Sequence, residues 1–166
     1  EAESDWGPAL EYYLRLADSC EYGREMIDID AAHRVRQDRW VRARLANLRE
    51  SAPKAVVARM DVEVQRRLDE VLSREGTEAL ARFVECFGDL PAAEEARREL
   101  IGRYSKSKEY LAADMTLRRG ARLSEPSATA VLTYRLARLL EDGERETDAA
   151  TYYRELEERW GDTTCH

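Results

Sequence analysis

The sequence predicts an all-α fold of stacked antiparallel helical hairpins, and three observations carry that prediction. Of 166 residues, 37% are charged and 43% hydrophobic, with 4 prolines and 8 glycines, a balance that favours amphipathic helices over sheets. Between short breaks, apolar residues recur at helical spacing. The pattern also repeats. Ala113 and Leu117 stand 36 residues before Ala149 and Tyr153, as Leu100 and Tyr104 stand before Leu136 and Leu140. Ala79, Phe83 and Cys86 in turn stand 34 before Ala113, Leu117 and Gly120. Periods of this length signify hairpins that stack.

In chain order, breaks fall at Gly7-Pro8, Gly23, Ser51-Ala52-Pro53, Gly76, Gly88, Pro91, Ser124-Glu125-Pro126, Gly143 and Gly161. They delimit candidate helices near 8–20, 29–50 and 53–73, the second striped by Val41, Leu45 and Leu48. Residues 1–75 fit the repeat poorly and are expected to form a divergent N-terminal cap, because the end unit of a stack must cover an exposed apolar face. Residues 76–166 are expected to form the hairpins. Leu100, Ile101 and Tyr104 mark one first helix, and Ala113, Leu117 and Gly120 its partner. The next pair runs from about Ser127 to Asp142, with Leu132, Leu136, Leu139 and Leu140, and then from Asp148, with Ala149, Tyr153, Leu156 and Trp160 on one stripe. Short connections force each pair antiparallel.

These residues resemble the tetratricopeptide repeat. Its second helix carries a small residue, an aromatic four later, a small residue three after that and a proline five further on; Ala79, Phe83, Cys86 and Pro91 occupy those places. The last unit matches at Ala149 and Tyr153 and departs at Leu156 and Gly161, while the middle unit has Ile101 where a small residue is usual. The resemblance covers 76–162 and implies a right-handed α-solenoid that binds other proteins without catalysis. A second, looser resemblance runs from Trp40 to Pro53, through Arg59-Met60-Asp61, Leu68, Leu72 and Glu78-Ala79-Leu80, to Phe87-Gly88-Asp89. This string is similar to helical regions of large bacterial proteins that join an α-solenoid to a β-propeller and have been compared with membrane coats. It implies a scaffold segment, preferentially extracytoplasmic or periplasmic rather than cytoplasmic, whose neighbour is another protein or a β-propeller of the same chain. The start at Glu1 rather than Met is consistent with a segment of a longer protein.

The residues that chemistry requires are sparse. Nucleophilic catalysis needs a positioned base, and the histidines are His33, expected on an exposed helix face, and the terminal His166. Cys20, Cys86 and Cys165 lack the paired spacing of a metal site, and their odd number argues against a disulfide framework. Cys86 reads as a small core residue. Glu94-Glu95, Glu141-Asp142 and Glu157-Glu158 read as solvated helix faces rather than acid–base pairs. No glycine-rich phosphate loop occurs. No enzyme activity, cofactor or metal is therefore expected, and no apolar run is long enough to span a membrane.

A net charge of −7 disfavours a uniformly basic nucleic-acid binder. Arg34, Arg36, Arg39, Arg42, Arg44 and Arg49 form a basic run, but on a helical wheel they point to all sides, which suits pairing with acids elsewhere better than an anion-binding face. Tyr12, Tyr13, Tyr152, Tyr153 and Trp160 are amphipathic side chains of the kind found at interfaces. First helices line the groove in tetratricopeptide arrays, so the resemblance nominates Glu95, Arg98, Tyr134 and Arg138 as a partner groove suited to an acidic or carboxylate-ended segment. The expected function is a protein–protein scaffold, with a self-contained peptide-binding adaptor as the alternative and self-association open to either.

Overall fold

The computed structural model describes residues 5–20, 26–120 and 126–161, with the side chains of 126–128 left aside. The expected breaks at Gly23 and Ser124-Glu125, and the residues Cys165 and His166, lie outside the described residues. Eight helices and one two-stranded sheet are described: α1 Trp6–Ser19, β1 Met26–Asp28, β2 Arg34–Arg36, α2 Gln37–Ser51, α3 Lys54–Leu72, α4 Glu78–Phe87, α5 Ala92–Lys106, α6 Tyr110–Gly120, α7 Pro126–Asp142 and α8 Glu146–Trp160. The fold is thus helical, with helices packed in neighbouring pairs. Contacts divide the chain into two compact units, Glu1–Ala96 and Arg97–His166, and the division falls inside α5, whereas the sequence suggested a change near Gly76.

In the first unit α1 buries Leu10, Tyr13, Leu14 and Ala17, spaced i, i+3, i+4 and i+7. Gly7-Pro8 does not delay this helix, because proline is tolerated in a first turn where its missing N–H has no acceptor to lose. α2 buries Val41, Leu45 and Leu48, the stripe read from the sequence, and α3 buries Met60, Val64 and Leu68. α4 adds Leu80, Phe83, Cys86 and Phe87, the two phenylalanine rings 4.8 Å apart.

The expected helix over 29–50 is corrected at its start: 26–36 is a β-hairpin, and the helix begins at Gln37. Met26 pairs with Arg36, Ile27 with Val35 and Asp28 with Arg34. Two β-branched residues opposite each other favour this pairing, and the Asp28 and Arg34 side chains join at 2.9 Å. The turn is an aspartate device. Asp30 Oδ1 accepts the backbone N–H groups of Ala32 at 2.8 Å and His33 at 2.9 Å. His33 therefore sits in an exposed turn, not on a helix, with its ring on the same carboxylate. These bonds hold the Asp30 carboxyl below its ordinary range, the Ala32 N–H foremost.

The second unit has its own core of Ile101, Ala113, Leu117, Leu132, Leu136, Ala137, Leu140, Ala149 and Tyr152, flanked by Tyr104, Tyr110 and Tyr153. On α8 the inward face is set by Ala149 and Tyr152, with Tyr153 at its edge, a rotation from the stripe read in the sequence. Small residues are closely packed at three places of this unit, whereas Ala79 of the first unit is only half-buried. Ala113 and Ala149 are buried, and a Cβ on Gly120 would meet the aliphatic part of buried Arg97 at 2.9 Å.

The 36-residue period reappears in the backbone. α5 ends with Glu109 N–H donating to the Tyr104 carbonyl at 2.8 Å and Lys108 N–H to that of Ser105 at 3.1 Å. α7 ends with Arg145 N–H donating to Leu140 at 2.9 Å and Glu144 N–H to Glu141 at 3.0 Å. Lys108 and Glu144 both adopt left-handed backbone, with φ of 62° and 59°. This is one Schellman cap used twice, at corresponding positions of successive hairpins.

Candidate functional site

The basic run is absorbed by the fold. Arg34 pairs with Asp28, Arg36 with Asp38, Arg39 with Glu85 at 3.4 Å, Arg42 with Asp89 through a 2.6 Å Nε bond, and Arg49 with Asp61, while Arg44 lies 5.2 Å over the Trp40 ring. Asp38 and Glu85 are themselves buried, so these guanidinium groups compensate charge that would otherwise be stranded. The acid beside Arg42 raises that group above its ordinary value, the Asp89 hydrogen bond first among the causes.

Of the four nominated groove residues, Glu95 and Arg98 are both exposed on α5 and fall on opposite sides of the division between the units. Tyr134 and Arg138 are brought together on the outer face of α7. The Tyr134 ring packs edge-on against Tyr153 of α8 at 6.4 Å, the Tyr153 hydroxyl donates to Glu141 at 2.9 Å, and Arg138 reaches Glu141 at 3.6 Å.

Sequence reasoning did not single out the cleft of about 290 Å³ in the second unit, between α6 and the α7–α8 hairpin. Its wall is a linked set of rings and charges. The Tyr152 hydroxyl donates to Asp114, which also accepts Arg118 Nε at 2.7 Å, and the Arg118 guanidinium lies 5.8 Å over the Tyr152 ring. Burial and the Asp114 carboxylate push the Tyr152 hydroxyl up to about 12. Opposite, Arg145 lies 5.2 Å over Tyr110 and pairs with Asp148. Gly143 makes room for Tyr110, since a Cβ there would fall on the phenol. Leu111, in the lining of the cleft, is 73% exposed, and Met115, one turn on along α6, 46%. Their signal in the sequence was available: Ala113 and Leu117 fix the inner face of α6, which leaves Leu111 and Met115 outside.

The first unit holds another cleft, of about 320 Å³, between α1, α3 and α4. Arg66, Arg67, Arg74 and Arg82 line it against Asp18 and Glu70, with Phe83 and Cys86 also in its wall. Arg67 is tied to Asp18 at 3.0 Å and to Glu63 at 3.0 Å. The Arg82 Nε atom is buried and has no hydrogen-bond partner among the described residues.

Among the described residues no group of three or more His, Cys, Asp or Glu side chains is arranged to hold a metal ion, and no helix is long and apolar enough to cross a membrane. No protein-family model, curated protein or solved structure matches the chain.

Proposed function

We propose that this chain is a non-catalytic protein-interaction module, a right-handed α-solenoid segment of tetratricopeptide type serving as a scaffold within a larger bacterial, extracytoplasmic, membrane-coat-like protein. The observation that carries the interaction reading is the α6–α8 cleft of the second unit. Its rings and ion pairs are mutually satisfied, which suits a preorganised docking wall, while Leu111 in its lining and Met115 one turn on lie exposed. Exposed apolar side chains rimmed by charge are the usual composition of a protein contact. The occupant that fits is a partner helix with an apolar stripe for Leu111 and Met115. The twice-used cap and the buried Ala113 and Ala149 support the repeat reading.

The test is a photo-crosslinking residue at position 111 of the protein in its native host, with exposed position 157 as control. Capture of a partner from 111 and not from 157, lost when Met115→Glu is added to the same chain at unchanged melting temperature, is the expected result. Equal capture from both positions, or capture from 111 indifferent to Met115→Glu, would sink it. Exposed Tyr134 and Arg138 favour the adaptor as second reading. It requires that an acidic, carboxylate-ended peptide bind the chain and that Arg138→Ala weaken it.

A further inference from the structure

Cys20 and Cys86 lie 66 positions apart in sequence, yet the fold sets them against each other in the first unit. Cys20 closes α1. Its backbone N–H donates to Ala17 at 3.4 Å, and its thiol donates to the Leu16 carbonyl at 3.2 Å. The start of α2 is tied to the same place, because Gln37 Nε2 donates to that Leu16 carbonyl at 3.1 Å and to Ser19 Oγ at 3.2 Å. α2 in turn holds the end of α4 through Arg39 with Glu85 and Arg42 with Asp89. This polar knot brings the last turn of α1 against Cys86, which shares a cleft wall with Ala17 and Asp18 and stands within hydrogen-bonding reach of the Cys20 thiol. Both cysteines are buried, and neither is bridged in this structure.

We propose that Cys20 and Cys86 are a dithiol–disulfide pair, through which oxidation by a small disulfide covalently joins the end of α1 to α4. The chemistry is two thiol–disulfide exchanges. One cysteine, as thiolate, attacks a sulfur of the external disulfide and expels one small thiolate, which takes up a proton. The second cysteine then loses its proton and attacks the mixed disulfide at the protein sulfur, expelling the other small thiolate. Two protein thiols are oxidised, one external disulfide is reduced to two thiols, and no other reactant is needed. The Cys86 thiol is held well above the ordinary range, by the Cys20 thiol first and then by burial. Thiolate is scarce in the closed state, so the first exchange is slow and waits on opening of the cleft. Glutathione disulfide is the small-disulfide probe.

Because the rate is limited by burial, the test is made at equilibrium. The whole chain is unfolded, refolded in a buffer of reduced and oxidised glutathione, trapped by alkylation and mapped as peptides. The same redox buffer with denaturant retained gives the unbiased mixture of pairings. The expected product is a Cys20–Cys86 linked peptide, enriched about tenfold or more over that mixture, persisting in Cys165→Ser and accompanied by a higher melting temperature than the reduced chain. Alkylated, unlinked Cys20 and Cys86 in the refolded protein, or pairing of either with Cys165 in preference, overturns the proposal. The readout is taken on chains that retain both cysteines, so no outcome depends on whether a cysteine-deletion variant folds.

Discussion

Gly143 and Tyr110 show how much of the second unit turns on a single missing carbon. A Cβ at 143 would lie 3.0 Å from Tyr110 Cζ and fall on the hydroxyl, so Gly143→Ala must push the ring out of its seat under Arg145. Forced overpacking of this kind costs about 1–3 kcal/mol. The urea midpoint of Gly143→Ala is expected to fall accordingly, and Tyr110→Phe in the same chain should recover part of the loss by deleting the atom that is struck. If the double variant is no more stable than the single one, the clash is not the cause. The sequence marked Gly143 only as a break between helices. It did so correctly, but a one-dimensional pattern does not reveal which ring from 33 positions earlier occupies the space.

At the scale of elements, what was legible is what depends on period. The α2 stripe, the ends of α7 and α8 to within a few residues, and the buried Ala113, Leu117, Leu136 and Ala149 all follow from helical spacing and internal repetition. The 26–36 hairpin was missed because its strands are three residues each, too short for alternation to stand out, and because Arg34 and Arg36 merge with the arginines of α2. Its real signature was Asp30, whose side chain replaces a turn of backbone. The repeated cap makes a prediction of its own. Left-handed backbone costs a residue with a Cβ about 1–2 kcal/mol, and both helix ends place one there. Lys108→Gly and Glu144→Gly should therefore each raise the melting temperature, by an amount reduced by the greater freedom of glycine in the unfolded chain. A drop for both would mean that these side chains stabilise the ends by more than the backbone strain.

At the scale of the whole molecule the two compact units are joined without a loop, since α5 runs from Ala92 to Lys106 through the division at Ala96 and Arg97. Helix formation is cooperative along its length, so α5 is expected to transmit unfolding from one unit to the other. Arg98 is exposed, which makes it a clean place to break the connection. Arg98→Pro removes one helical hydrogen bond and costs about 3 kcal/mol or more, whereas Arg98→Ala should be nearly silent. Calorimetry is expected to show one transition for the parent and for Arg98→Ala, and two for Arg98→Pro. A single unshifted transition in the proline variant would show that α5 does not couple the units. The sequence located this helix but not its role, because a division inside a continuous helix leaves no glycine, proline or polar linker to read.

The arginines of 34–49 draw their partners from β1, α2, the loop after α4, α4 itself and α3. Arg42 with Asp89 links positions 47 apart and Arg49 with Asp61 ties α2 to α3, and neither partner can change sign alone without leaving a charge facing its like. Over evolutionary time such positions are expected to change together: where a related chain has lost the acid at 89 or 61, the basic residue at 42 or 49 should have gone with it.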